Sequence, residues 1–340
     1  MLSRTADHLF WMARYVERAE NTARMLDVNL STSLLPQSAQ AMERGWRAVL
    51  SISELSEQFD ERHPIVSPRD VIDFMVRDAG NSSSIVNCLK AARENARAVR
   101  GSLTTEVWET HNDTWLNLQT MLTERAPERD PQAFFEWVKF RSHLSRGVTI
   151  GTMLKDEAFY FVRLGTFLER ADNTARLIDV KYHEADGGGQ RQQQSSGGQR
   201  QQQSSDNESG ESGADRSLDF YHWAAVLRSV SAFETYRKVY RDVITPSRVA
   251  ELLILRGDMP RSLASCVNEV SVNLEMVRND RSNETERRAG LLRAELRYGR
   301  IQDILARGLH VYLDEFLERI NDLGGRISND FLVPLQGHHA

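Results

Sequence analysis

The chain has 340 residues, 40% of them apolar and 27% charged, with a formal net charge of −5. That balance allows a substantial core in one large domain or two ordinary ones, and the acidic net charge argues against a nucleic-acid footprint. No apolar run reaches bilayer-spanning length, the charged N-terminus lacks the apolar stretch of a secretory signal, and two cysteines are too few for a disulfide framework, so a cytoplasmic protein without membrane association is expected.

The periodicity is helical from the start. In YVERAENTARMLDV (Tyr15 to Val28) an advance of 100° per residue puts Tyr15, Val16, Ala19, Ala23 and Leu26 on one face, with Met12 and Thr22. Arg14, Glu17, Arg18, Asn21 and Arg24 form a polar stripe, and Glu20 and Asp27 lie at its edge. On a solvated helix, Glu20 with Arg24 and Arg24 with Asp27 would contribute about 0.2–0.5 kcal/mol per pair. Further on, Trp46 reads as a core anchor, and Ser67-Pro68 reads as an N-cap followed by proline at the first helical position. Arg93, Arg97 and Arg100 follow at i, i+4 and i+7. They form either a row of salt-bridged arginines or a guanidinium fork for a carboxylate or phosphate.

The second half repeats the first. FLERADNTARLIDV (Phe167 to Val180) matches the earlier stretch at nine of fourteen positions, with Glu169, Arg170, Asn173 and Arg176 in the equivalent stripe. Asp172 and Asp179 take the edge positions. Trp223 answers Trp46, and Thr245 to Cys266 aligns without gaps on Ser67 to Cys88, pairing Pro246 with Pro68 and Cys266 with Cys88. The cysteines read as small buried apolar residues of equivalent helices. Between these anchors lies Gly187 to Asp215, rich in Gln, Ser and Gly and without a large apolar side chain. It reads as a disordered insertion within the second copy. The expected architecture is all-α: a duplicated helical bundle of two pseudo-symmetric halves, 1–150 and 151–335, with about five or six helices each.

Self-similarity is uneven. Only four of twenty-two positions match between Ser67–Cys88 and Thr245–Cys266, so something holds the doubled stripe to its spelling. Asn21 and Thr22 recur as Asn173 and Thr174 although each costs about 0.5 kcal/mol of helix propensity against Ala. A binding site or a buried polar network are the two kinds of role that fit.

With NSSSIVNCLKAARENARAVRGSLTTEVWETHN (Asn81 to Asn112), the two motif stretches resemble the bacterial alpha-E domain family, over nearly the whole chain outside the insertion. The resemblance implies an all-helical domain whose relatives are typically encoded beside, or fused to, circularly permuted ATP-grasp-like proteins. A transglutaminase-like protein is often nearby. By motif match it marks Glu17, Arg18, Asn21, Arg24, Glu169, Arg170, Asn173 and Arg176 as candidate functional residues, with Arg93 and Arg97 in the second segment. The chain departs from the pattern at Asn81-Ser82, where Asn-Pro is frequent, and at Thr166, where an arginine is common. The second copy is therefore expected to be the weaker site.

No phosphate-binding glycine loop, His-Glu-x-x-His or Gly-x-Ser-x-Gly occurs, so no cofactor and no autonomous nucleotide site are expected. Asp60-x-x-His63 and Asp219-x-x-His222 are not equivalent in the repeat and read as chance. Glu20, Asp27, Asp172 and Asp179 would form a hard-cation site only if their helices met. The leading expectation is a helical partner or co-catalytic subunit of an ATP-grasp-like ligase, whose Glu/Arg stripes bind the partner or a substrate carboxylate. The alternatives are a stand-alone enzyme using Glu17 or Glu169 in peptide chemistry, and a scaffold in which the stripes form a buried salt-bridge network. Burial of the stripes discriminates among them.

Overall fold

The computed structural model describes residues 1–194 and 213–332, with side chains for 1–182 and 220–332. The described residues form sixteen α-helices and no strand. The first half runs α1 (Ser3–Ser33), α2 (Ala39–Ile52), α3 (Ser56–Asp60), α4 (Pro68–Arg77), α5 (Ile85–Ala98), α6 (Thr105–Thr123), α7 (Ala126–Arg129) and α8 (Pro131–Thr152). The second runs α9 (Glu157–Gln194), α10 (Gly213–Ser229), α11 (Phe233–Tyr240), α12 (Pro246–Ile254), α13 (Leu263–Val277), α14 (Asn283–Tyr298), α15 (Ile301–Arg307) and α16 (Leu309–Phe331). Each half holds more helices than the expected five or six, because short pieces such as α3, α7 and α15 occupy connections that an average helix length passes over. The ends of α9 and α10 extend helical backbone into both margins of the expected insertion, whose centre, 195–212, lies outside the described residues.

The local signals act as their chemistry requires. Ser67 Oγ accepts from the Asp70 amide at 3.1 Å and Thr245 Oγ1 from the Arg248 amide at 3.4 Å, and Pro68 and Pro246 open their helices. Ser84 and Ser262 cap α5 and α13 in the same way, accepting from the Asn87 and Ser265 amides. Cys88 and Cys266, on those two helices, are free thiols buried in the core. Burial pushes both up to about 12, so neither is a thiolate at neutral pH. Trp46 and Trp223 are core anchors, as their spacing suggests.

Two hydrophobic clusters make up the core. One gathers α9 to α16 with the N-terminal part of α1, through Leu9, Phe10, Met12 and Ala13. The other gathers α2, α4, α5, α6 and α8 with Ala19, Ala23 and Leu26 of the same helix. α1 therefore belongs to both, and its most extensive packing is against α9.

Close approach of those two helices depends on one missing side chain. A Cβ at Gly165 would run into the carbonyl oxygen of Phe10 and lie 3.2 Å from the Cβ of Ala13. Gly165 and Ala13 occupy equivalent places in the doubled sequence, one turn before Glu169 and Glu17. Gly165→Ala is expected to separate the helices and destabilise the protein by about 1–3 kcal/mol despite alanine's better helix propensity. A urea midpoint equal to or above that of the native chain would contradict this.

Candidate functional site

The polar stripe of α1 does not face water. α9, α5 and α8 all pack against this helix, so Glu17, Glu20, Asn21 and Arg24 are enclosed together with its apolar face. Glu17 is 1% exposed, Glu20 0% and Glu169 5%. A carboxylate removed from water costs several kcal/mol unless it is paired and hydrogen-bonded. The location of its partners is therefore a full accounting question.

The partners lie in the other copy. Arg170 donates Nε to Glu17 Oε1 at 2.8 Å and Nη2 to Glu17 Oε2 at 2.9 Å. Arg18 donates Nε to Glu169 Oε1 at 2.6 Å and Nη2 to Glu169 Oε2 at 3.1 Å. These are the same guanidinium atoms on the same carboxylate oxygens, so the two forks are reciprocal across the α1–α9 contact. Each is bidentate, the geometry that makes arginine irreplaceable by lysine.

Around the forks the symmetry breaks. Glu169 receives one further donor, Arg14 Nε at 2.7 Å. Thr166 stands where an equivalent arginine would serve Glu17, and its hydroxyl instead donates to the backbone oxygen of Val162. Glu17 is served by two arginines absent from the sequence-derived candidates. Arg146 of α8 reaches Oε2 at 3.1 Å, and Arg261, in the turn before α13, reaches Oε1 at 3.0 Å. Glu17 thereby accepts four hydrogen bonds and is the more fully engaged of the pair. Arg261 falls opposite Ser83 in the repeat, and that mismatch is its only sequence signal; Ser83 Oγ accepts from Arg18 at 3.4 Å.

Glu20 completes the network. Its Oε1 accepts Arg24 Nε at 2.8 Å and Arg261 Nη2 at 2.5 Å, and its Oε2 accepts Ser142 Oγ at 2.6 Å and a short bond from Arg146 Nη1. Asn21 Oδ1 accepts from Arg261 at 2.8 Å, while its Nδ2 is buried without a partner among the described residues. Arg24 also donates to Ser231 Oγ at 2.6 Å.

Electrostatics follow from this packing. Burial raises the Glu17 pKa, but Arg170 and Arg261 outweigh it and bring the group to about 2. Burial opposes ionisation of Glu20 and Glu169 too, and their arginines hold both below the usual range. Arg170 is raised: burial lowers it, and Glu17 outweighs that. Arg261 is lowered by its burial, with Arg170 and Arg24 adding repulsion. At neutral pH Glu17 has neither a proton to donate nor an open lone pair, a poor starting point for acid–base work.

The remaining candidates lie outside this network. Arg176 is bound to Asp172 at 2.9 and 3.0 Å and to Glu54 at 2.5 Å, and Asn173 is half-buried. Arg93 binds Glu94 and Asn112 and stands 5.9 Å from the Trp108 ring, and the exposed Arg97 binds Glu94 at 2.8 Å. The four edge carboxylates are not brought together: Asp27 pairs with Lys139, Asp172 with Arg176 and Asp179 with His310. Among the described residues, one group has metal-ligand proximity, Asp179, His310 and Asp314, with ligand atoms within 4.8 Å. There Asp179 Oδ1 meets His310 Nδ1 at 2.6 Å, a hydrogen bond that raises the His310 pKa.

A long helical array closed by doubled Glu-Arg pairs defines the class of protein. Residues 1–332 match the model of Alpha-E, described as a predicted alpha-helical domain with a conserved ER motif, and the chain belongs to that family. No curated protein and no solved structure matches it. Glu17-Arg18 and Glu169-Arg170 fit the family's Glu-Arg description.

Arg170→Ala removes the more buried of the two bidentate forks and is expected to cost about 3–5 kcal/mol. Arg18→Ala leaves Arg14 on Glu169 at a more exposed position, and about 1–3 kcal/mol is expected. Denaturant midpoints in the reverse order would contradict this assignment. Acid has a matching effect. Because the folded-state pKa of Glu17 is depressed to about 2 from 4.5, its stabilisation is present above 4.5 and lost as pH falls towards 2. Thermal midpoints for Glu17→Gln should therefore fall less steeply with acid across that window than those of the native chain. Equal slopes would mean that this carboxylate is not held ionised.

Proposed function

We propose that the chain is a rigid helical partner subunit of an ATP-grasp-like ligase in peptide- or amide-bond chemistry. Its Glu-Arg motifs act as an internal clamp that holds the two halves in register, and the partner docks elsewhere. The observation that supports this reading is a contrast in exposure. The motif side chains are spent on one another, whereas α8 presents an unpartnered apolar row. Phe140 is 66% exposed and Leu144, one turn on, 44%. On the same face Gly147 and Gly151 have open space where a Cβ would stand, so a partner's backbone can approach closely. Contiguous exposed apolar surface of this kind marks protein-interaction sites.

A co-catalytic use of Glu17 or Glu169 is disfavoured by their four and three accepted hydrogen bonds. Co-expression with an ATP-grasp-like protein of the kind proposed tests the reading. Phe140→Asp and Leu144→Asp are expected to change stability by less than about 0.5 kcal/mol, yet to abolish co-elution on size exclusion and lower ligase turnover. A complex that survives both substitutions, and is lost only in Arg18→Lys at unchanged stability, would return the partner site to the motif stripe.

A further inference from the structure

A cavity of about 170 Å³ lies between α1, α6, α8 and α9, beside the Glu17 network. Met12, Val16, Val162 and Phe167 form an apolar wall. Arg146, Arg163 and His111 supply a polar one.

The polar wall has unused capacity. Arg146 makes all its hydrogen bonds through Nη1, to Glu17, Glu20 and Ser142, and its Nε and Nη2 make none among the described residues. Among the described residues Arg163 commits only Nη2, to Glu269, while its guanidinium lies 4.9 Å from the Phe167 ring. His111 is 5% exposed; its Nε2 lies 3.3 Å from Ser145 Oγ, and Nδ1 makes no hydrogen bond among the described residues. Burial, with Arg141 nearby, lowers this histidine to about 4, so at neutral pH it is an uncharged hydrogen-bonding group.

Charge points the same way. The network sets six arginines, of which Arg24, Arg170 and Arg261 are buried and Arg14, Arg18 and Arg146 partly exposed, against three buried glutamates (Glu17, Glu20 and Glu169). Arg146, which joins the network to the cavity and is partly exposed, has donors that meet no acceptor among the described residues. A cation is repelled there. An anion supplies the missing acceptors.

We propose that this cavity binds a small organic carboxylate with an apolar tail. The head is held by Arg146 and Arg163, and the tail lies against Met12, Val16, Val162 and Phe167. The volume sets the size: an apolar cavity of about 150 Å³ accommodates benzene, so roughly six to eight non-hydrogen atoms fit. The site lies within this chain and needs no partner protein, so it goes beyond the function proposed above and stands or falls separately from it.

Calorimetric titration of the full chain at neutral pH tests it with three probes: isocaproate, its neutral amide, and inorganic phosphate. Isocaproate is expected to bind saturably and to raise the thermal midpoint. The amide lacks the charge and phosphate lacks the tail, so both should bind at least about tenfold more weakly. Arg163→Gln, at a half-buried position on the rim, should weaken isocaproate by a similar factor in a folded protein. Thr149→Leu, which fills the cavity, should abolish binding. Absence of saturable heat with isocaproate overturns the proposal, as does equal binding of the amide or of phosphate. Undiminished binding in Arg163→Gln overturns it as well, and that variant decides the matter even if Thr149→Leu does not fold.

Discussion

The reciprocal forks, Arg170 on Glu17 and Arg18 on Glu169, are the constraint on which the rest of the molecule depends. Apolar burial is non-directional and would tolerate many relative placements of two long helices. Two bidentate pairs with fixed atom-to-atom correspondence allow essentially one. They sit one turn beyond the Gly165–Ala13 approach, so backbone contact and ionic contact set the same helix crossing. Because α1 also contributes side chains to both hydrophobic clusters, its placement positions both halves.

Interlocking also accounts for the Glu-Arg pairs being alike in the two stretches while other paired segments differ. Each carboxylate has its fork in the opposite copy, so a change in either motif strands a buried charge in the other. Such a loss is far larger than the few tenths of a kcal/mol at stake for a solvated i,i+4 pair. Between Ser67–Cys88 and Thr245–Cys266, shared requirements are limited to caps, prolines and core packing, which many residues satisfy.

The two Glu-Arg pairs are nonetheless unequally served. Where Thr166 withholds the counterpart of Arg14, Arg146 and Arg261 enter from α8 and from the turn before α13. Glu17 is thereby enclosed more completely than Glu169. Arg146 then has one side in the network and the other on the cavity, with donors to spare. The departure at Thr166 in the second copy is thus made good at Glu17 of the first by arginines from outside either motif.

Much of the fold was legible because its signals are local. Helical period and the serine and threonine caps followed by proline depend on neighbours within a few residues, and each is found in place. The helical wheel likewise identified which charges share a stripe. It could not say what that stripe faces, because a wheel carries no information about neighbouring helices, and α9, α5 and α8 cover the side that would otherwise meet water. Arg146 and Arg261 were illegible for the same reason: they lie 129 and 244 residues from Glu17, in segments with no motif of their own. By itself, then, the sequence determined the helices, the doubled motif and the type of charge each position carries. Only tertiary structure decided that those charges are buried against one another, because pairing and desolvation belong to helices brought together and to no single helix.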